Sequence, residues 1–255
     1  MNKSFIQLYK QFKKINKKGW IKSQRKGYGG IGYTFEKLIG KEEESFPIPD
    51  YNGIEIKTMR IKSSGVLHLF SIIPDGDYLF PMERIRDILG YPDKNYKEFK
   101  ILNMDFNCVD YTKIGLFRKA IIRIDRSKEK LYIEAIKDNR RMLKVDVSWS
   151  FKLLKDRLYL KLKELVVVKA ESKIINDEEY YKYKKIDYYV LKDFNTFLKL
   201  IEDGTITIGI KIGIKKDKEH LGQMKSRGTY FSIYESNIEK LYKKIPLRYF
   251  EYQLL

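Results

Sequence analysis

Apolar residues recur every three or four positions between residues 4 and 16, putting Phe5, Leu8, Tyr9, Phe12 and Ile15 on one face and lysines on the other. That period predicts an amphipathic helix docked on a core. A second helical stretch covers about 33–39 and stops at Gly40, a residue type favoured just beyond a helix end. The pattern then shortens. Residues 47–59 read as two brief strands about Asn52-Gly53, "VLHLFSII" (66–73) as a buried strand and "PMERIRDILG" (81–90) as a short helix. Strict alternation at 119–126 and 130–137 predicts a meander hairpin about a three-residue turn. "SWSFKLLKDRLYLKLKEL" (148–165) reads as the longest helix, and it feeds "VVVKAE" (166–171), an apolar strand of the kind buried on both faces, in a crossover unit. A tyrosine-rich strand (178–190), a helix at about 192–202, the alternating strand 205–214 and the strand 228–234 complete the pattern. The fold class is α/β, a central mixed sheet flanked by helices, in two lobes around a cleft.

Composition narrows the partner. Fifty-two Lys and Arg against 34 Asp and Glu leave a net charge of +18, beyond the needs of solubility and suited to a polyanion, nucleic acid or an anionic membrane. No apolar run approaches the roughly 20 residues that span a bilayer. The basic helix 4–16 is read as docked on a core and not as a membrane-surface anchor, and residues 1–35 match neither a secretory signal nor a transit peptide. One cysteine, Cys108, excludes an internal disulfide and reads as structural. With only His68 and His220 besides, Cys/His zinc sites are nearly excluded, and His68 reads as a hydrogen-bonded core histidine. A cytoplasmic setting follows.

Candidate chemistry sits in "PIPDYNGIEIKT" (47–58). Asn-Gly between extended residues is a strong hairpin signal, because both turn positions need positive φ. A two-residue turn pairs Tyr51 with Ile54 and Asp50 with Glu55, and Lys57 returns to the same face two residues on. Opposed carboxylates repel unless a cation lies between them, and oxygen ligands suit Mg²⁺. Two acids, a metal and an ammonium form equipment for phosphodiester hydrolysis. The same spacing fits a surface hairpin with a Glu/Lys ladder, and spacing alone leaves both readings open.

Pro49, Asp50, Glu55 and Lys57 resemble the PD-(D/E)xK nuclease motif. The wider "GWIKSQRKGYGGIGYTFEKLIG…PDYNGIEIKT" resembles the MvaI/BcnI family of type II restriction endonucleases, relatives of MutH. The resemblance takes in Gly29–Gly32, Glu36 and the Asp-x4-Glu-x-Lys spacing, and it resumes at "SWSF", "AESKI" with "YYKY", "IKIG" and "RGTYFSI". Residues about 75–118 carry none. The resemblance implies a restriction-endonuclease-like core, cleavage of duplex DNA with one or two Mg²⁺ per site, Asp50 and Glu55 as metal ligands, Lys57 as the catalytic lysine and Glu36 as a further acid near the metals. It also implies a monomer that cuts the two strands of a short, nearly symmetric site in separate events, although a dimer fits the sequence equally well. The approximate lobes are catalytic (1–75 and 119–171) and DNA-recognition (76–118 and 172–255).

Two basic segments are candidates for DNA contact. Lys22, Arg25 and Lys26 sit in a glycine-rich loop ahead of a helix, suited to gripping phosphates, with Arg60 beyond the motif strand. The loop between the last long strands carries Lys211, Lys215, Lys216, His220, Gln223, Lys225 and Arg227, side-chain types that read base edges. "KEEES" (41–45) reads as a solvated connector. Beside restriction cleavage stand a MutH-like strand-specific nickase and a DNA binder without catalysis.

Overall fold

Asn2 starts the first helix by accepting hydrogen bonds from the N–H groups of Ser4 (2.8 Å) and Phe5 (3.3 Å), donors that have no partner inside a helix. The structure is a computed structural model that describes residues 2–41, 48–61, 65–76, 79–137 and 141–251, without the side chains of 227 and 251. In chain order the elements are α1 (Lys3–Lys17), β1 (Ile21–Lys22), α2 (Gly30–Leu38), β2 (Ile54–Arg60), β3 (Val66–Ile72), α3 (Pro81–Leu89), β4 (Tyr91–Pro92), β5 (Lys100–Phe106), β6 (Thr112–Ile114), β7 (Arg118–Asp125), β8 (Lys130–Lys137), β9 (Arg141–Leu143), β10 (Ser148–Ser150), α4 (Phe151–Leu162), β11 (Glu164–Ile175), β12 (Glu178–Leu191), α5 (Phe194–Glu202), β13 (Ile206–Ile214), β14 (Met224–Tyr234), α6 (Ile238–Leu241), β15 (Tyr242–Ile245) and α7 (Arg248–Glu251).

The chain divides into two units. The first comprises Met1–Leu67, Leu158–Asp193 and Ile238–Leu255; the second comprises His68–Arg157 and Phe194–Asn237. These limits differ from the lobes drawn on the sequence. Residues 119–157 go with the second unit because β7, β8 and β10 share one sheet, and 172–193 go with the first because β12 pairs along the whole of β11.

The first unit holds a sheet ordered β1-β12-β11-β2, with β15 also on β12. β2 runs parallel to β11, from Glu164 opposite Ile54 to Ala170 opposite Arg60, and it is the edge strand. One face packs against α1 and α2. Ile54, Ile56, Val166, Val168, Tyr181, Tyr183 and Tyr188 meet Phe5, Leu8, Phe12, Ile31 and Phe35, all buried. Phe5 stacks on Tyr188 with centroids 4.2 Å apart, and full burial of such a ring contributes about 1.5–3 kcal/mol.

The second unit carries two sheets, β10-β8-β7-β6 with β9, and β3-β14-β13-β5-β4. Phe70, Phe197, Phe231 and Trp149 form its aromatic centre. Trp149 Nε1–H donates to Thr229 Oγ1 (3.0 Å), which donates to the Ile72 carbonyl (2.8 Å).

Several expectations change. The helix expected over 148–165 covers only Phe151–Leu162, shorter than α1, because residues 148–150 pair with β8 and Ser150 Oγ accepts the Leu153 N–H (3.0 Å) as its cap. The β7–β8 loop holds four residues, 126–129, with Asp125 paired to Lys130 and its side chain accepting from Ser127 and Lys128. β3 buries Leu67, Leu69, Phe70 and Ile72 and leaves Val66, His68 and Ser71 exposed, so it is not buried throughout. His68, bonded through Nδ1 to Ser232 Oγ (2.9 Å), is exposed and is not a core histidine. Of the five tyrosines of β12, Tyr181, Tyr183, Tyr188 and Tyr189 are core and Tyr180 is half-buried.

Candidate active site

The free edge of β2 organises the site. Asn52 (φ 44°) and Gly53 (φ 88°) make the tight turn that the sequence signalled, and Tyr51 and Ile54 exchange backbone hydrogen bonds of 2.9 Å each way. The expected first strand goes no further among the described residues; 42–47 lie outside them. Asp50 does not stand opposite Glu55 as a ladder partner. Its Oδ2 accepts the Ile56 N–H (2.9 Å), so a side chain satisfies the open edge where a neighbouring strand would otherwise pair.

Glu55 and Lys57, two residues apart, share the face of β2 opposite α1 and α2. Lys57 Nζ lies 2.7 Å from Glu55 Oε1, and Glu55 is only 1 % exposed. A second ammonium, Lys161 on the last turn of α4, stands 3.4 Å from the same oxygen. The other carboxylate oxygen, Oε2, is buried without a hydrogen-bond partner. Burial pushes the Glu55 carboxyl above its ordinary range; Lys57 and Lys161 oppose the shift and the charge of Asp50 adds to it. Tyr242, wholly buried on β15 within the field of Glu55, also has an unpartnered hydroxyl.

From the other side comes Lys41, whose ammonium donates to Asp50 Oδ1 with both side chains largely buried. The connector reading of "KEEES" therefore fails at its first residue. Glu36, half-buried on α2, acts on the Lys41 ammonium together with Asp50 and Glu55. The four residues of the motif reading, Glu36, Asp50, Glu55 and Lys57, thus gather at one place, and Lys41 and Lys161 join them. Neither lysine had a signal in the sequence, since each is one of many and its role depends on a fold contact.

The glycine-rich loop is anchored to the same region. Gln24 N–H donates to Thr34 Oγ1 (3.0 Å) and Ser23 N–H to the Glu179 carbonyl (2.7 Å). An added Cβ at Gly30 would sit 2.5 Å from the Arg25 carbonyl oxygen, so only glycine lets the loop close on α2. Arg25 and Lys26 are exposed, Arg25 lying over the Tyr33 ring. Lys22 and Arg60 are engaged within the protein: Lys22 pairs with Glu178 (2.6 Å), and Arg60 pairs with Glu179 (2.7 Å) between the rings of Tyr28 and Tyr181.

In the second unit Lys211, Lys216 and Lys225 line a cavity of about 540 Å³ with Asn103, Ser226 and Tyr230. Lys215, Gln223 and His220 point elsewhere. Lys215 Nζ bonds Gln223 Oε1 (3.0 Å) and His220 Nδ1 lies 2.6 Å from Asp217, contacts that close the hairpin tip on itself. The Arg227 side chain lies outside the described residues. Burial pushes the Cys108 thiol up to about 12, in keeping with a structural role.

The family model of the MvaI/BcnI restriction endonuclease family matches residues 9–242, including the stretch 75–118 where the sequence alone carried no resemblance. A solved complex of restriction endonuclease MvaI with its cognate DNA substrate is similar at a TM-score of 0.87 and 29% identity, over 96% of this chain and 98% of that one. MvaI in the absence of DNA gives 0.62 and 28% over the same shares. Among curated proteins none matches the chain.

Proposed function

The chain belongs to the MvaI/BcnI restriction endonuclease family and is a type II, site-specific deoxyribonuclease, and from that premise we propose that it cuts short, nearly symmetric sites in double-stranded DNA with Mg²⁺, using Asp50, Glu55, Lys57 and Glu36. The first unit is then the catalytic one and the second reads bases. The chain works as a monomer in the cytoplasm, and each strand is cut in its own event.

The buried Glu55 carboxylate, one oxygen between two ammonium groups and the other without a partner, carries the reading. Such an oxygen is expensive to leave unmet, and a divalent cation meets it. Among the described residues no three His, Cys, Asp or Glu side chains surround one point. Two carboxylates suffice for Mg²⁺, which keeps several waters and takes substrate phosphate oxygens as further ligands. When bound, the ion supplies Lewis acidity and a water of lowered pKa.

This chain's own residues do the rest. Asp50 and Glu55 hold the ion, Glu36 adds negative charge beside them, and the Ile56 N–H keeps the Asp50 carboxylate oriented. Lys57, fixed by Glu55, orients the attacking water and offsets the charge growing at phosphorus. Lys161 braces Glu55 from behind. Arg25 and Lys26 grip the backbone with the glycine loop, and Lys211, Lys216 and Lys225 with Asn103 and Tyr230 face the bases.

Mixed-sequence plasmid incubated with the protein and Mg²⁺ should give discrete fragments whose sequenced ends share one short site. Lys57→Ala should abolish cutting and keep DNA affinity. Random smearing would refute the reading. Open circles that never become linear would replace it with a strand-specific nickase.

A further inference from the structure

Lys41 has a built position. Its N–H donates to the Glu36 carbonyl (2.9 Å) while the N–H of Gly40 donates to that of Lys37 (3.1 Å), so the turn that ends α2 aims the side chain across the free edge of β2. The ammonium reaches Asp50 Oδ1, and the side chain is 16% exposed. Burial works against a charge there, but the hydrogen bond to Asp50 and the charges of Asp50, Glu36 and Glu55 outweigh it and raise its pKa above the ordinary 10.5. Even with Lys57 and Lys161 beside it, Lys41 leaves Glu55 Oε2 without a partner.

We propose that Lys41 is the resident counter-ion of Asp50 in this carboxylate pocket: in the metal-free protein its ammonium pairs with Asp50 and, together with Lys57 and Lys161, offsets the charges of Asp50, Glu36 and Glu55, and a divalent cation enters by exchange with it. The proposal rests on the reading of Asp50 and Glu55 as metal ligands. It differs from an ordinary structural ion pair in one consequence, that lysine and metal compete. Without Lys41 the acids would repel one another whenever the metal is absent. With it the pocket stays assembled, at the cost of a weaker apparent metal affinity.

The test is Mg²⁺ titrated calorimetrically into the full chain without DNA, for wild type, Lys41→Met, Lys41→Gln, Lys41→Arg and Asp50→Asn, with thermal melts in EDTA and in Mg²⁺. If the ammonium holds the pocket about nine-tenths of the time or more, its removal tightens the apparent dissociation constant by roughly tenfold or more. Lys41→Met and Lys41→Gln should bind Mg²⁺ that much more tightly, melt below wild type in EDTA and regain the difference in Mg²⁺. Lys41→Arg, which keeps the charge, should bind no more tightly than wild type. Uptake that is lost in Asp50→Asn but unchanged or weaker in the neutral Lys41 variants overturns the exchange and leaves the metal reading intact. No uptake by wild type or any variant overturns both. Neutral variants that stay unfolded in Mg²⁺ also overturn it, because the metal would then fail to replace the ammonium.

Discussion

Alanine at Gly30 would place a methyl carbon 2.5 Å from the Arg25 carbonyl oxygen, 2.6 Å from Ser23 Oγ and 2.7 Å from the Tyr181 hydroxyl, all well inside van der Waals contact. None can yield easily. Tyr181 is fully buried, and Ser23 is held by its N–H bond to the Glu179 carbonyl (2.7 Å). Overpacking of this kind costs about 1–3 kcal/mol, against at most about 1 kcal/mol gained from the better helix propensity of alanine. Its neighbour is the control. Gly29 has φ −81° and ψ 0°, allowed to any residue, and an added Cβ there meets nothing within 4 Å. Gly29→Ala should therefore stabilise the protein by about 0.4–1 kcal/mol through the unfolded chain. Urea unfolding of both variants, with midpoint and slope, measures the contrast. Gly30→Ala should also slow cleavage, because the clash displaces α2 and with it Glu36. Gly29→Ala should keep the active-site geometry while weakening DNA binding, if backbone N–H groups of the loop meet phosphates. A Gly30→Ala protein within about 0.5 kcal/mol of wild type would refute the packing argument, that being the ordinary scatter of neutral substitutions.

Other outcomes follow from single contacts. Lys161→Met should slow cleavage by roughly 5–150-fold, the worth of about 1–3 kcal/mol for a charged hydrogen bond, with DNA affinity little changed; full-rate cleavage would remove Lys161 from the site. Tyr242→Phe deletes a buried hydroxyl without a partner, so urea unfolding should show a neutral or stabilising effect, and a loss beyond about 1 kcal/mol would mean that a bound water satisfies it. The Glu134 carboxyl is held below its ordinary 4.5 by Tyr111 and Arg123, so its contribution is complete above that value and lost as pH falls through the lowered one. Thermal midpoints of wild type and Glu134→Gln should accordingly converge in acid, and a gap that persists to the lowest pH would contradict this. If about six to ten phosphates are neutralised, DNA affinity should fall ~10³–10⁵-fold between about 50 and 200 mM salt, and a flat response would assign the positive charge elsewhere.

Local patterns were legible where one physical cause dominates. The α1 stripe, the Asn-Gly turn and the 206–214 alternation each follow from periodicity or backbone preference alone, and each appears in the structure. Expectations failed where a distant partner decides. Residues 148–150 look helical in isolation, but β8 offers them a ladder, and Ser150 then caps the helix they were expected to join. The pairing of Arg60 was equally out of reach of local pattern, since Glu179 lies 119 positions away in sequence and 2.7 Å away in space. The motif residues could be found because three of them lie within eight positions on one turn and strand. Lys41 and Lys161 could not, because among 52 Lys and Arg nothing local distinguishes them.

The placement of this site at a sheet edge has a physical reason. An interior strand gives all its N–H groups to neighbours, whereas β2 leaves one side open, and an open edge needs partners to avoid pairing with other chains. Asp50 supplies one by capping the Ile56 N–H, and that bond fixes a carboxylate within the field of Glu55. The parallel partner β11 then closes the other side of β2 with Leu165 opposite Glu55 and Val167 opposite Lys57, both fully buried. Those apolar neighbours keep water from Glu55 on the protein side, and that burial pushes its carboxyl above the ordinary range against the pull of Lys57 and Lys161. On the metal reading proposed above, the fold holds a charge where burial makes it costly, and a divalent ion bound there recovers that cost.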